Sequence, residues 1–110
     1  MDKILKRTNM CGDLRKEDIG KEVVLNGWVQ TKRNLGGLTF VDLRDKTGIT
    51  QIQFADALQE KANTLGREYC IGVQGTVIER ESKNDKLATG FIEVKATDLV
   101  IYSEADTPPS

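Results

Sequence analysis

The chain has 110 residues, with 16 Lys and Arg against 17 Asp and Glu for a formal net charge of −1, and no histidine. That length holds one small domain with a real core and excludes a typical multi-domain enzyme, while the balanced charge excludes a generic polyanion binder, whose affinity comes from many cations neutralising phosphates. Without histidine the commonest metal ligand and the best proton carrier at neutral pH are missing, which excludes zinc centres and His-based triads.

Residues 1–9 are polar and basic and read as a flexible lead-in, with order expected from Cys11 onward. Residues 13–20 predict one short helical turn, with Asp13 as its N-cap and Gly20 closing it, acting as a plug rather than a site. Five strand signals follow, over 22–32, 38–45, 49–54, 69–80 and 91–102, and Asp45-Lys46-Thr47-Gly48 predicts a tight turn joining the second to the third. Between the third and fourth strands, residues 55–68 have helix-forming composition, and Leu58, Ala62 and Leu65 make one apolar stripe. Residues 81–89 lack apolar periodicity and read as an exposed loop. Residues 106–110, with two prolines, read as a linker. Cys11 and Cys70 are far apart and form no CxxC pattern, so both are expected as reduced thiols. No apolar run approaches membrane-spanning length, and the expected setting is cytoplasmic.

Five strands with one helix after the third is the order of an all-β, five-stranded Greek-key barrel of the OB-fold type, which binds oligonucleotides on its second and third strands. Gly27, Gly72 and Gly75 supply the sharp bends that a small barrel needs. Parity sends Val23, Leu25, Val29, Val41, Leu43, Ile52, Phe54, Ile71, Val73, Val77, Ile92 and Val94 inward.

The same parity turns Phe40 outward with Asp42 and Arg44, beside Gln51 and Gln53. Between Val29 and Thr50 four basic residues (Lys32, Arg33, Arg44, Lys46) stand against two acidic ones (Asp42, Asp45), a local positive excess that the rest of the chain cancels. A base can stack on an exposed ring, and an amide offers a donor and an acceptor to its edge. Lys32 and Arg33, next to the turn at Asn34-Leu35-Gly36-Gly37, can reach a phosphate or a base edge. A plainer alternative stands beside each residue: Gln51 as a solvated strand residue, Phe40 as an edge residue under a loop, Lys32 and Arg33 as solubilising charges, Arg44 as a partner of Asp42 or Asp45, and Glu93 as the cross-strand partner of a lysine.

The segments Cys11-Gly12-Asp13-Leu14-Arg15, Gly27-Trp28-Val29, the hairpin from Arg33 to Asp45, Gly48-Ile49-Thr50-Gln51-Ile52-Gln53-Phe54, Gly75-Thr76-Val77, Ala88-Thr89-Gly90-Phe91-Ile92-Glu93-Val94 and Thr107-Pro108-Pro109 together resemble the N-terminal anticodon-binding domain of bacterial aspartyl-tRNA synthetases. The resemblance implies an OB-fold domain over 10–105 that binds the anticodon loop of tRNA(Asp), with the central uracil stacked on Phe40 and read by Gln51 and Arg33. It further implies Lys32 near the RNA, Glu93 at the wobble base, and Arg80 and Asn84 near the third anticodon base. Residues 106–110 would lead toward a hinge and a catalytic domain absent from this chain. The fragment itself is then no enzyme and has no cofactor. ATP and Mg2+ belong to the catalytic domain of a parent aspartate-tRNA ligase, expected as a homodimer, whereas the isolated domain is expected to be monomeric. Thr31 stands where the family often has a basic residue, Asn34 where it often has Asp, and Phe91 where Glu is common. Leu35 stands where relaxed members that also charge asparagine tRNA often have His. The rival readings are the equivalent domain of an asparaginyl- or lysyl-tRNA synthetase, a general single-strand nucleic-acid binder, and a protein-interaction barrel.

Overall fold

The computed structural model describes residues 4–104. The predicted linker 106–110 and its Thr-Pro-Pro segment lie outside the described residues. Five strands, β1 (Glu22–Leu35), β2 (Leu38–Asp45), β3 (Gly48–Phe54), β4 (Cys70–Glu79) and β5 (Ile92–Ser103), close a barrel in the order β1-β2-β3-β5-β4. All pairings are antiparallel except β3 with β5, where Ile52 and Gln53 lie in parallel register with Val94 and Lys95.

The long β1 serves two neighbours. Its first half pairs with β4 from Glu22 to Trp28, and its second half pairs with β2 from Trp28 to Leu35. The strand changes partners at Gly27, where a Cβ would lie 2.4 Å from the Arg44 carbonyl oxygen, so the two backbones approach too closely for any other residue. Gly75, at the bulge between β4 and β5, is held in the same way against the Lys95 carbonyl. The turn between β1 and β2 is made by Gly36 and Gly37 at φ +54° and +85°, the two positive values of a two-residue hairpin. All twelve residues that parity sends inward are buried, and Cys11, Leu14, Ala62, Leu65 and Leu99 join them in one core.

Three elements depart from expectation. The helix predicted over 55–68 is only α1 (Ala57–Ala62): past its C-cap Asn63 the backbone tightens into turns, with Thr64 N–H donating to the Lys61 carbonyl and Leu65 N–H to the Ala62 carbonyl, and Glu68 then takes a positive φ of 70° on the way into β4. Ala62 and Leu65 still cap the core there. The early helical turn is a 3-10 turn over Lys16–Asp18, in which Asp18, not Asp13, accepts from the backbone N–H of Arg15 at 2.8 Å. Asp13 instead accepts from Met10 N–H at 3.0 Å. The plug is real: Leu14 is fully buried, Cys11 N–H donates to Asp45 at 2.7 Å, Gly12 N–H to Thr47 Oγ1 at 2.8 Å, and the Thr50 hydroxyl to the Cys11 carbonyl. The lead-in also docks earlier than Cys11. Leu5 is buried, its N–H donates to the Tyr102 hydroxyl at 2.8 Å, and Thr8 N–H donates to the Val24 carbonyl at 2.9 Å. One leucine and a few backbone hydrogen bonds hold residues that polar composition alone assigns to solvent.

Candidate nucleic-acid interface

The outer faces of β2 and β3 form an open groove of about 800 Å³, walled by the β1–β2 hairpin on one side and by residues 81–87 of the loop before β5 on the other. Register places its floor in rows. Arg33, Phe40 and Gln53 make one row, Asp42 and Gln51 the next with Thr31 paired to Asp42, and Ile49 lies beyond them, its strand partner Arg44 falling outside the groove. Phe40 is half-buried rather than in the core, and its ring lines the groove beside Gln51 and Gln53.

A β-bulge decides which basic residue of the hairpin reaches this face. Between Val29 and Thr31 the register slips by one, leaving Gln30 as the extra residue. The slip turns Thr31 and Arg33 outward to Asp42 and Phe40, and leaves Lys32 opposite the buried Val41. Lys32 is therefore not part of the groove. Its ammonium donates to the Asn63 carbonyl at 2.8 Å, just past the end of α1. Lys32 and Arg33, both expected near the RNA, thus face opposite sides of β1, and only Arg33 lines the groove.

Arg33 is tied down from two sides. Nη1 donates to Asp42 Oδ2 at 2.8 Å and to Thr31 Oγ1 at 3.1 Å, and Nη2 donates to Gln51 Oε1 at 2.9 Å. Thr31 in turn donates its hydroxyl to Asp42. Thr31, which stands where the family often has a basic residue, is thus a brace for the guanidinium. Burial raises the Asp42 pKa, but the hydrogen bonds from Arg33 and Thr31 and the charges of Arg33 and Arg80 outweigh it and hold this carboxyl below the usual range.

Gln51 passes the chain onward. Its Nε2 donates to Glu93 Oε1 at 2.5 Å, and Gln53 Nε2 donates to Glu93 Oε2 at 3.0 Å. Glu93 is 5% exposed, and each of its carboxyl oxygens accepts from one of these two amides. The pairing fixes the orientation of the Gln51 amide, since a guanidinium only donates and a carboxylate only accepts. One lone pair and one N–H of that amide remain for a ligand edge. The plainer alternatives for Gln51 as a solvated residue and Glu93 as a lysine partner give way to this network, and Arg44 pairs with Gln30 Oε1 at 3.0 Å rather than with Asp42 or Asp45.

Arg80 and Asn84 stand on the far wall. Arg80 Nε is buried without a hydrogen-bond partner, and Asn84 is fixed by its N–H to the Gly90 carbonyl at 3.0 Å and by accepting from Lys86 N–H. Phe91 lies apart from the groove, with the Lys83 ammonium 4.8 Å from its ring centre. Leu35, 60% exposed, reaches the groove rim from the hairpin tip. The positive excess along the hairpin sequence does not carry into the groove, which is lined by two cations (Arg33, Arg80) and three carboxylates (Asp42, Glu81, Glu93). Sequence reasoning did not assign Asp42 or Thr31 a part in the site. Parity with Phe40 already turns Asp42 outward, whereas the outward turn of Thr31 with Arg33 is readable only once the bulge is placed. Among the described residues no helix is long and apolar enough to cross a membrane, and no group of three or more His, Cys, Asp or Glu side chains has the arrangement of a metal site.

The family model for the OB-fold nucleic acid binding domain matches residues 23–102. Aspartate–tRNA ligase of Clostridium botulinum (strain Eklund 17B / Type B) is 52% identical over 109 residues, covering 96% of this chain and 18% of that protein. Asparaginyl-tRNA synthetase from Pyrococcus horikoshii superposes with a TM-score of 0.78 at 33% identity, over 93% of this chain and 24% of that one. Aspartyl tRNA synthetase from Entamoeba histolytica superposes with a TM-score of 0.82 at 22% identity, over 96% of this chain and 23% of that one, a likeness of fold. The chain spans about 18% of the length of the curated relative it matches. It belongs to the family of OB-fold nucleic acid binding domains.

Proposed function

We propose that this chain binds the anticodon loop of tRNA(Asp) as the N-terminal domain of an aspartate-tRNA ligase. The reading is supported by its similarity to such ligases over 96% of its own length and by the groove in which an outward ring adjoins a braced amide. In this account the central uracil of the anticodon stacks on Phe40, a contact worth about 1–3 kcal/mol in single-strand binders. Gln51 presents its remaining donor and acceptor to the base edge, and Arg33, held by Asp42, adds a second donor. Glu93 contacts the wobble base, while Arg80, with its unpartnered Nε, and Asn84 serve the third base.

Attachment of aspartate to tRNA with ATP and Mg2+ belongs to the full-length parent, a cytoplasmic homodimer in this reading. The isolated domain binds RNA as a monomer, without a cofactor. Its affinity alone is modest, because the acceptor arm and the anticodon reinforce each other only when both domains are joined.

The observation that carries the proposal is the Arg33–Gln51–Glu93 chain of hydrogen bonds beside Phe40. Asparaginyl-tRNA synthetase is the rival with a specific observation behind it, the 33% identity to the Pyrococcus structure. Anticodon stem-loops that differ only in their outer bases separate the two. The aspartate loop binds tightest if the proposal holds, and an asparagine loop that binds as well or better overturns it.

A further inference from the structure

We propose that a second, cationic cleft beside the groove holds the RNA backbone, with Arg15, Arg44 and Lys86 taking the phosphates that flank the base seated on Phe40. This rests on the reading of the groove as an RNA site. The cleft, about 290 Å³, is lined by those three cations and by no carboxylate. Ile49 and Leu87 line both cavities, so the two form one continuous surface.

The charge balance explains why a separate phosphate site is needed. The base groove has more carboxylates than cations, and a phosphate placed there meets Asp42 and Glu93 with no net attraction. The adjoining cleft has the opposite balance. Arg44 lies four residues from Phe40 on the same face of β2, about 13 Å along the strand, within reach of the same RNA loop.

The three cations come from three separate elements and are only partly committed to the protein. Arg15 spends Nη1 on the Gly12 and Leu14 carbonyls at 2.7 and 2.9 Å, and Arg44 spends Nη1 on Gln30 Oε1. Among the described residues none of the three is in an ion pair, and Asp45, a neighbouring carboxylate, is occupied by Cys11 and Thr47. An arginine held at one nitrogen and open at the other suits the forked recognition of a phosphate, and Lys86 adds a point charge.

The test is the salt dependence of binding of an aspartate anticodon stem-loop to the chain and to its Lys86→Glu and Arg44→Gln variants. Lys86 is exposed, so its replacement leaves the fold alone. The slope of log affinity against log salt is expected to become shallower by about 0.7 for each phosphate that is no longer neutralised. Affinity should drop by the same factor for every anticodon sequence, because phosphate binding carries no sequence information. The parent slope retained in both variants overturns the cleft while leaving base discrimination in the groove standing. Failure of the parent chain to bind the RNA overturns the groove reading and the cleft with it.

Discussion

Gln51 and Glu93 meet across the barrel's parallel seam, the amide of β3 donating to the buried carboxylate of β5 at 2.5 Å. Neither side chain is explained by packing. The carboxylate is nearly sealed from water, and what it gains there is control over which way two glutamines face. That arrangement makes an outer barrel surface into one with a defined donor and acceptor.

Glu93→Ala leaves the Nε2 groups of Gln51 and Gln53 without their acceptor, frees the Gln53 amide and leaves the Gln51 amide held by Arg33 alone. Loss of hydrogen bonds to a charged group is expected to lower unfolding stability by about 1–3 kcal/mol in chemical denaturation. Discrimination among anticodon loops should relax by more than overall affinity falls. A variant as stable and as selective as the parent contradicts the role given to this carboxylate.

Asp42 makes stability depend on pH in a definite direction. Its folded pKa lies below the ordinary 3.8, so its contribution is complete above that value and is lost as the pH falls through the folded pKa. Asp42→Asn is expected to lower stability at neutral pH and to flatten this part of the acid decline, leaving the parts due to Asp18 and Asp45, which are shifted in the same direction. Acid titration of the thermal midpoint reads both effects, and parallel curves for parent and variant would refute the Arg33–Asp42 brace.

Lys32→Ala separates the bulge from the sequence. Its ammonium serves the Asn63 carbonyl, on the other side of β1 from the groove. Stem-loop affinity is expected to stay within twofold of the parent, while Arg33→Ala weakens it and relaxes choice at the central base. Equal losses for the two variants would mean that the bulge does not sort them as the register requires.

Most of the fold is legible in the sequence, because period-two alternation marks the core-facing stretches of the strands, and parity read there predicts all twelve inward residues. Phe40, Gln51 and Gln53 are found outward by the same rule. The rule fails where the chain departs from strict alternation. One extra residue at Gln30 exchanges the faces of Lys32 and Arg33, and nothing in the local composition marks it. Glu93 is polar yet buried, and its partners lie forty residues and more away, so only the strand order brings it to Gln51. Past the end of α1 at Ala62, Glu68 takes a positive φ, a conformation ordinarily expected of glycine, which composition cannot reveal. The docking of Leu5 depends on a hydroxyl 97 residues distant.

The central claim is that an unpaired base stacks on Phe40 while its edge meets Gln51. Titration of the isotope-labelled chain, and of Phe40→Ala, with the aspartate anticodon stem-loop tests it most directly. The account predicts shift changes concentrated at Arg33, Phe40, Gln51 and Glu93 in the parent, and a loss of about 1–3 kcal/mol of affinity in the folded variant. Binding of equal strength by Phe40→Ala, or a parent whose groove resonances stay still while RNA binds elsewhere, contradicts it.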